Sequence, residues 1–194
     1  MAIENDDIKR SIETARESLE KVAKEIANVQ FPQANIIEFE LSELSDKYIN
    51  DTLKTVPAGY SQEFSETDFI YVFKLIDTNK TKKNLISDRF NDSRSLQKTE
   101  DFEGKKDFCR RNEGLSDYLY IGRSQKLRSR LKQHLGAGNE GIFAMHMLRW
   151  ATRVQGKVEI SYYQFDLFDN LIIQALEDGL WQCFNPMFGR KGEK

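Results

Sequence analysis

The sequence predicts an α/β fold of the α+β kind, in which aromatic and β-branched strands are interleaved with amphipathic helices. Three observations predict it. Residues 68–76, Asp-Phe-Ile-Tyr-Val-Phe-Lys-Leu-Ile, are dense in side chains that favour a buried strand. A second run ends in Tyr120-Ile121-Gly122 and opens into a basic helix, Lys126-Leu-Arg-Ser-Arg-Leu-Lys-Gln-His134. A third run, Val158–Phe165, leads into residues 170–184, whose apolar side chains recur at helical spacing.

The elements follow in order from the N-terminus. Ile8, Ile12, Ala15, Leu19, Val22, Ile26 and Val29 are separated by alternating steps of 4 and 3, a heptad seam on a charged helix over about residues 4–29. Asn5 or Asp6 caps its start, and Phe31-Pro32 ends it. The seam packs either on the rest of the chain or on its copy in a homodimer. Residues 36–41 alternate apolar and acidic side chains; a short helix and a turn at Pro57-Ala-Gly59 follow. Residues 1–67 are accordingly read as an N-terminal extension, and residues 68–194 as the main domain. Within that domain, residues 77–117 form a polar insert carrying Lys80, Lys82, Lys83, Arg89, Arg94, Lys105, Lys106, Arg110 and Arg111. Such a segment is a DNA-contacting arm or a solvated loop, and ordering only on DNA would reconcile the two.

The basic helix places Arg130 and His134 four apart, on one face. A guanidinium clamps two phosphate oxygens at once, and an imidazole moves protons near neutral pH. A further helix carries His146, which has no partner in the sequence and reads as structural. On the last helix Ile172, Ile173, Leu176 and Leu180 form an apolar stripe. Glu177 lies at its border, where a carboxylate needs a cation or a metal ion as partner. Asn185-Pro186 ends that helix.

Strand with Tyr, strand with Tyr-Ile-Gly, Arg/His helix, second helix, strand, helix with Glu: this order resembles the GIY-YIG nuclease family over about residues 68–189. Ile70-Tyr71 matches the second and third positions of the first motif, and Tyr120-Ile121-Gly122 matches the second motif in full. Arg130, eight residues past Gly122, stands where the family has its catalytic arginine. His134 matches a position often occupied by histidine, and Glu177 matches the metal-binding glutamate. Three departures are visible. Phe69 replaces the first motif's Gly. The 48 residues 72–119 separate the two tyrosine strands, where a short hairpin is usual. The family's late asparagine falls at Gly189; Asn185 substitutes, or that hydrogen bond is missing. The resemblance implies a small mixed, mostly antiparallel sheet of about three core strands flanked by helices. It also implies cleavage to 5′-phosphate and 3′-hydroxyl ends.

The expected chemistry is hydrolysis of a DNA phosphodiester. That reaction needs an activated water, neutralised phosphate oxygens and help for the leaving oxygen. Tyr71 or Tyr120 orients or deprotonates the water; a nearby Arg, Lys74 or a metal ion favours the phenolate, and His134 relays the proton. Arg130 stabilises transition-state charge. Arg123 holds an adjacent phosphate, with Lys74, Gly122 and Asn185 on the substrate side. Glu177 holds one Mg²⁺, for which Mn²⁺ substitutes, because Mg²⁺ takes few carboxylates and keeps several waters. The alternative is a nucleic-acid-binding module on the same scaffold with little or no cleavage. An adaptor built on the N-terminal seam is a third reading.

Charge distribution agrees with a polyanionic partner. The chain has a net charge of −2, but residues 1–68 carry 7 Lys/Arg against 15 Asp/Glu, and residues 69–194 carry 22 against 16. The domain with the tyrosine motifs is the basic one. Cys109 and Cys183 have no metal-ligand spacing with each other or with the two histidines, and two cysteines suit a reducing cytoplasm. Residues 1–30 lack the apolar core of a signal peptide, and no run approaches a membrane span.

Overall fold

Strand β2 (Thr67–Ile76) is the axis of the fold, and every residue from Thr67 to Phe73 is buried. It lies between β3 (Tyr118–Ser124) and β4 (Lys157–Asp166) and pairs antiparallel with both. The computed structural model describes residues 5–59, 66–97, 107–139 and 141–192. Among these the sheet has four strands in the order β1-β4-β2-β3, all antiparallel. The α+β class therefore holds, with helices on both faces of one sheet.

The fourth strand comes from the segment read as an extension. Strand β1 (Asn35–Glu40) pairs with β4 from Asn35↔Tyr162 to Glu40↔Lys157. Lys157 lies between Glu38 and Glu40, with Nζ 3.8 and 3.4 Å from their carboxylates. Helix α2 (Asp46–Thr52) follows, capped by the Ser45 hydroxyl, which accepts from the Tyr48 amide. Phe39, Leu41, Ile49, Leu53 and Val56 are fully buried in the main core beside Phe69, Phe73 and Ile160. Sheet pairing and core packing thus run across the expected boundary at residue 68.

The polar insert is also different from its expectation. Residues 80–96 form helix α3 (Lys80–Leu96), whose Asn79 cap accepts from the Lys82 amide. Ile86 and Phe90, four apart, are fully buried. The Phe90 ring stacks on Phe188 at 4.1 Å and meets Phe108 and Trp150 edge-on. Lys83 pairs with Asp117 at 2.9 Å. Two buried apolar side chains on one face make α3 a core helix rather than a loop, although its other faces are charged. Lys105 and Lys106 lie outside the described residues.

Helix α4 (Leu127–Leu135) buries Leu127, Leu131 and Leu135 at four-residue spacing and ends at Gly136 in the left-handed conformation, φ 102°. The helix expected around His146 is replaced by two 3₁₀ turns, Met147–Arg149 and Ala151–Arg153. His146 itself has φ 47°, a backbone state that no regular helix continues. Helix α5 (Asn170–Phe184) has the expected limits. Asp169 caps it through the Leu171 amide, and Asn185 closes it at φ 44°.

The second face of the sheet is covered by α5. Ile70, Phe165 and Ile173 form its buried centre, with Val29, Tyr163, Leu176 and Leu180 against them. Helix α1 (Asn5–Ala27) reaches this layer only through its C-terminal end and the turn beyond it. The heptad seam consequently divides. Val22, Ile26 and Val29 are half-buried, whereas Ile8, Ile12 and Leu19 are exposed by 46%, 64% and 70%. No helix among the described residues is long and apolar enough to cross a membrane.

Because β1 belongs to the core, a cavity there weakens the whole domain. Phe39→Ala is expected to lower stability by about 3–5 kcal/mol in one cooperative urea transition. A loss under about 1 kcal/mol, or a separate early transition, would show that residues 35–56 are dispensable to the fold.

Candidate active site

Antiparallel register places Tyr71 of β2 directly opposite Gly122 of β3. Tyr120, two residues before Gly122, shares its side of the strand. The missing side chain at Gly122 is what lets the two phenols approach. A Cβ there would lie 2.7 Å from both Tyr120 Cε1 and Tyr71 Oη. The rings run parallel within 5°, with centroids 6.2 Å apart. Gly122 thus acts by leaving space, not by touching a substrate.

Arg130 on α4 ties the phenols together. Its Nε donates to Tyr71 Oη at 3.3 Å, Nη2 to Tyr120 Oη at 3.4 Å and Nη1 to Gln133 Oε1 at 2.9 Å. A guanidinium has five N–H donors, so these three bonds leave two for a ligand. Burial works against the Arg130 cation, but the oxygens of Tyr71 and Tyr120 outweigh it.

Glu177 comes to the same place from α5. Tyr120, Arg130 and Glu177 line one cavity of about 550 Å³, so the phenol, the guanidinium and the carboxylate converge. Ile70 pairs with Arg123 and packs on Ile173 of α5, which puts Arg123 on the α5 side of edge strand β3. There its Nε lies 3.4 Å from Glu177 Oε2, and its guanidinium donates to Asn170 Oδ1. Arg123 therefore orients the carboxylate. Burial pushes the Glu177 carboxyl up to about 7, against the downward pull of Arg123 and Arg130. Its side chain is only 11% exposed, so desolvation outweighs the ion pair.

The remaining expected residues divide. Tyr71 is 1% exposed and lies behind Tyr120, so only Tyr120 of the two phenols reaches the cavity. Burial raises the pKa of both, outweighing the lowering effect of Arg130, so both stay protonated at neutral pH. His134 is fully buried and its pKa lies well below 6.5, through burial and then Arg130 and His146. The Met145 amide donates to its Nδ1 at 3.4 Å, so the neutral ring carries its proton on Nε2. Nε2 lies 3.2 Å from Tyr71 Oη and donates to it. A histidine already donating there cannot take the Tyr71 proton; it holds the phenol instead of relaying from it.

Lys74 and Asn185 are not in the site. Lys74 is exposed and lies over the Tyr118 ring at 5.8 Å, in a separate groove with Tyr163 and Phe184. Strand alternation explains this, since Tyr71 and Lys74 differ by an odd number of residues. Asn185 caps α5 and lines a neighbouring cavity with Trp181 and Asn112. Gly189 does lie in the site. Its φ is 97°, and a Cβ there would meet the Tyr120 ring at 2.7 Å. Gly189 therefore serves as a flat backbone wall for the phenol.

Several site residues escaped the sequence. Gln133 is one: it is buried and holds Arg130, and its place one residue before His134 gave no warning of that contact. Cys109 and Phe143 are two more; they line the cavity together with Arg94 and Arg110 of the basic segment expected to contact DNA and Arg190 of the basic C-terminal stretch. Burial pushes the Cys109 thiol up to about 12, so it is an inert wall residue.

No family model, curated protein or solved structure matches the chain. Among the described residues no group of three or more His, Cys, Asp or Glu side chains converges to hold a metal ion. One cavity-facing carboxylate fits a hard cation that keeps most of its waters, and does not fit a caged transition metal.

The raised Glu177 pKa has a definite sign. Between its ordinary value of 4.5 and about 7 the native state holds the extra proton, so this group's contribution to stability falls as pH rises through that window. His134, with its depressed pKa, acts oppositely: its contribution is lost as pH falls below 6.5. Glu177→Gln removes the first effect alone. In urea titrations its stability relative to the parent protein is expected to increase from about pH 5 to about pH 8. Parallel pH curves for the two proteins would refute a buried, desolvated carboxylate.

Proposed function

We propose that the chain is a metal-dependent DNA endonuclease of GIY-YIG type, hydrolysing phosphodiester bonds. The observation that carries this reading is the convergence of Tyr120, Arg130 and Glu177 on one cavity, with Arg130 hydrogen-bonded to both phenols. The similarity of the Tyr-Ile-Gly, Arg130 and Glu177 positions to that family supplies the reaction type.

In this reading the two remaining N–H groups of Arg130 grip the non-bridging oxygens of the scissile phosphate. Held by three acceptors, the guanidinium needs little reorganisation as charge builds on those oxygens. The Tyr120 hydroxyl positions the attacking water. Tyr71, with His134 behind it, fixes Arg130 rather than touching substrate. Water adds to phosphorus and gives up a proton to solvent, the bond to the 3′ oxygen breaks, and that oxygen takes a proton from solvent, leaving a 5′-phosphate and a 3′-hydroxyl. Glu177, oriented by Arg123, would hold a single Mg²⁺ or Mn²⁺, which would polarise the phosphate and stabilise the departing oxygen. Ionised Glu177 is required for that, so divalent binding strengthens as pH rises through about 7.

The second reading, a nucleic-acid-binding module without cleavage, draws on the Arg123–Glu177 contact, which already gives the carboxylate a cationic partner. Plasmid cleavage with Mg²⁺ or Mn²⁺ separates the two. Arg130→Ala should slow cleavage by about 10²–10³-fold, and Glu177→Ala should abolish the metal-dependent reaction while DNA binding persists. Binding by the parent protein with no metal-dependent cutting would select the module.

A homodimer through the exposed part of α1 would let a one-site nuclease cut both strands of a duplex. Ile8, Ile12 and Leu19 offer the apolar seam for it. Sedimentation should then give twice the chain mass, falling to one chain in Ile12→Glu/Leu19→Glu. A monomeric parent protein at about 10 μM, a concentration where specific interfaces persist, removes the dimer.

A further inference from the structure

The cavity that holds Tyr120, Arg130 and Glu177 has a second set of lining residues that hydrolysis alone does not use. Arg94 comes from the last turn of α3, Arg110 from the segment before β3, and Arg190 from beyond Gly189. With Arg130 they bring four guanidiniums around about 550 Å³; Arg111 adds a fifth, though its Nε is spent on the Ser87 hydroxyl. Among the described residues Glu177 is the one carboxylate in that lining. Like charges gathered from separate elements repel, and an anion of more than one charge relieves that repulsion. Phe143, 64% exposed, lies at the same cavity. A single exposed phenyl is ordinary on a protein surface. One beside a ring of arginines combines the two features a nucleotide needs, a π face for the base and cations for the phosphates.

We propose that this cavity is a nucleotide subsite in which Phe143 stacks on one base while Arg94, Arg110 and Arg190 hold the flanking phosphates. The subsite deepens the nuclease reading by naming its substrate class: a DNA strand presenting an unstacked base. In a duplex the base must first leave its neighbours, at a cost comparable to what one aromatic stack returns. Single-stranded or locally opened DNA is therefore the preferred ligand, and intact duplex the weaker one.

Fluorescence anisotropy in EDTA, where no cutting occurs, tests this with three labelled probes: a single strand of about 15 nucleotides, its duplex, and the same strand with abasic residues in its middle third. The single strand should bind more tightly than the duplex. Phe143→Ala should weaken the base-bearing strand by about tenfold, leave the abasic strand unchanged and keep the salt slope of the parent protein. Arg94→Ala and Arg190→Ala should weaken both strands alike and lower the salt slope by about 0.7 each. Equal losses on both strands for Phe143→Ala, or no loss, would overturn the stacking subsite. Metal-dependent cleavage with a neutral Phe143→Ala means the nuclease stands and the subsite falls. Phe143-dependent binding without cleavage means the subsite stands and the nuclease falls.

Discussion

Arg130 is a half-buried cation held by the oxygens of two phenols and an amide, and the geometry of the site follows from that constraint. A guanidinium withdrawn from water is tolerable only when the N–H groups it hides find acceptors. Tyr71, Tyr120 and Gln133 provide three. For both phenols to reach it, Tyr71 must lie opposite a residue without a side chain, which is Gly122, and Tyr120 must rest against another, which is Gly189. His134 completes the arrangement by donating to Tyr71 from a ring whose other nitrogen is engaged by the Met145 amide. Each of these groups is defined by the hydrogen bond it makes to the next.

Burial and charge compete throughout this network, and burial sets the protonation states. Arg130 would favour phenolates, yet desolvation keeps Tyr71 and Tyr120 protonated. Arg123 would favour the Glu177 carboxylate, yet desolvation brings it to about 7. The network around Arg130 is therefore poised within a cationic cavity: one half-buried guanidinium, two neutral phenols, and an acid near its midpoint at neutral pH. A ligand that changes local charge shifts this balance more than it would at a solvated surface, because screening by water is weak there.

The sheet explains why these groups meet at all. Strand β3 is the edge of the order β1-β4-β2-β3, and α4 and α5 approach it from opposite faces. An edge strand gives side chains from both faces access to one cavity, which a central strand would separate. The other edge is closed by β1, whose Phe39 is fully buried in the same core as Phe69 and Phe73. The N-terminal segment thus supports the site from a distance.

By itself the sequence determined what periodicity and local chemistry carry. β2 and α5 could be read from their apolar runs and caps, because a buried strand and an amphipathic helix leave their period in the chain. Tyr120, Arg130 and Glu177 were singled out by their resemblance to a family pattern, and the structure brings the three to one cavity. Tertiary structure alone decided the rest. The pairing of β1 with β4 is non-local, and an alternating hexapeptide does not name its partner. Helix α3 lay hidden under its lysines and arginines, because Ile86 and Phe90 show as core only when Phe108, Trp150 and Phe188 close over them. Lys74 could have been excluded by strand parity. The tautomer of His134, the Arg123–Glu177 contact and the meeting of Arg94, Arg110 and Arg130 at one cavity could not have been read there, since each depends on which distant backbone or side chain comes within a few ångströms, a distance fixed only by packing.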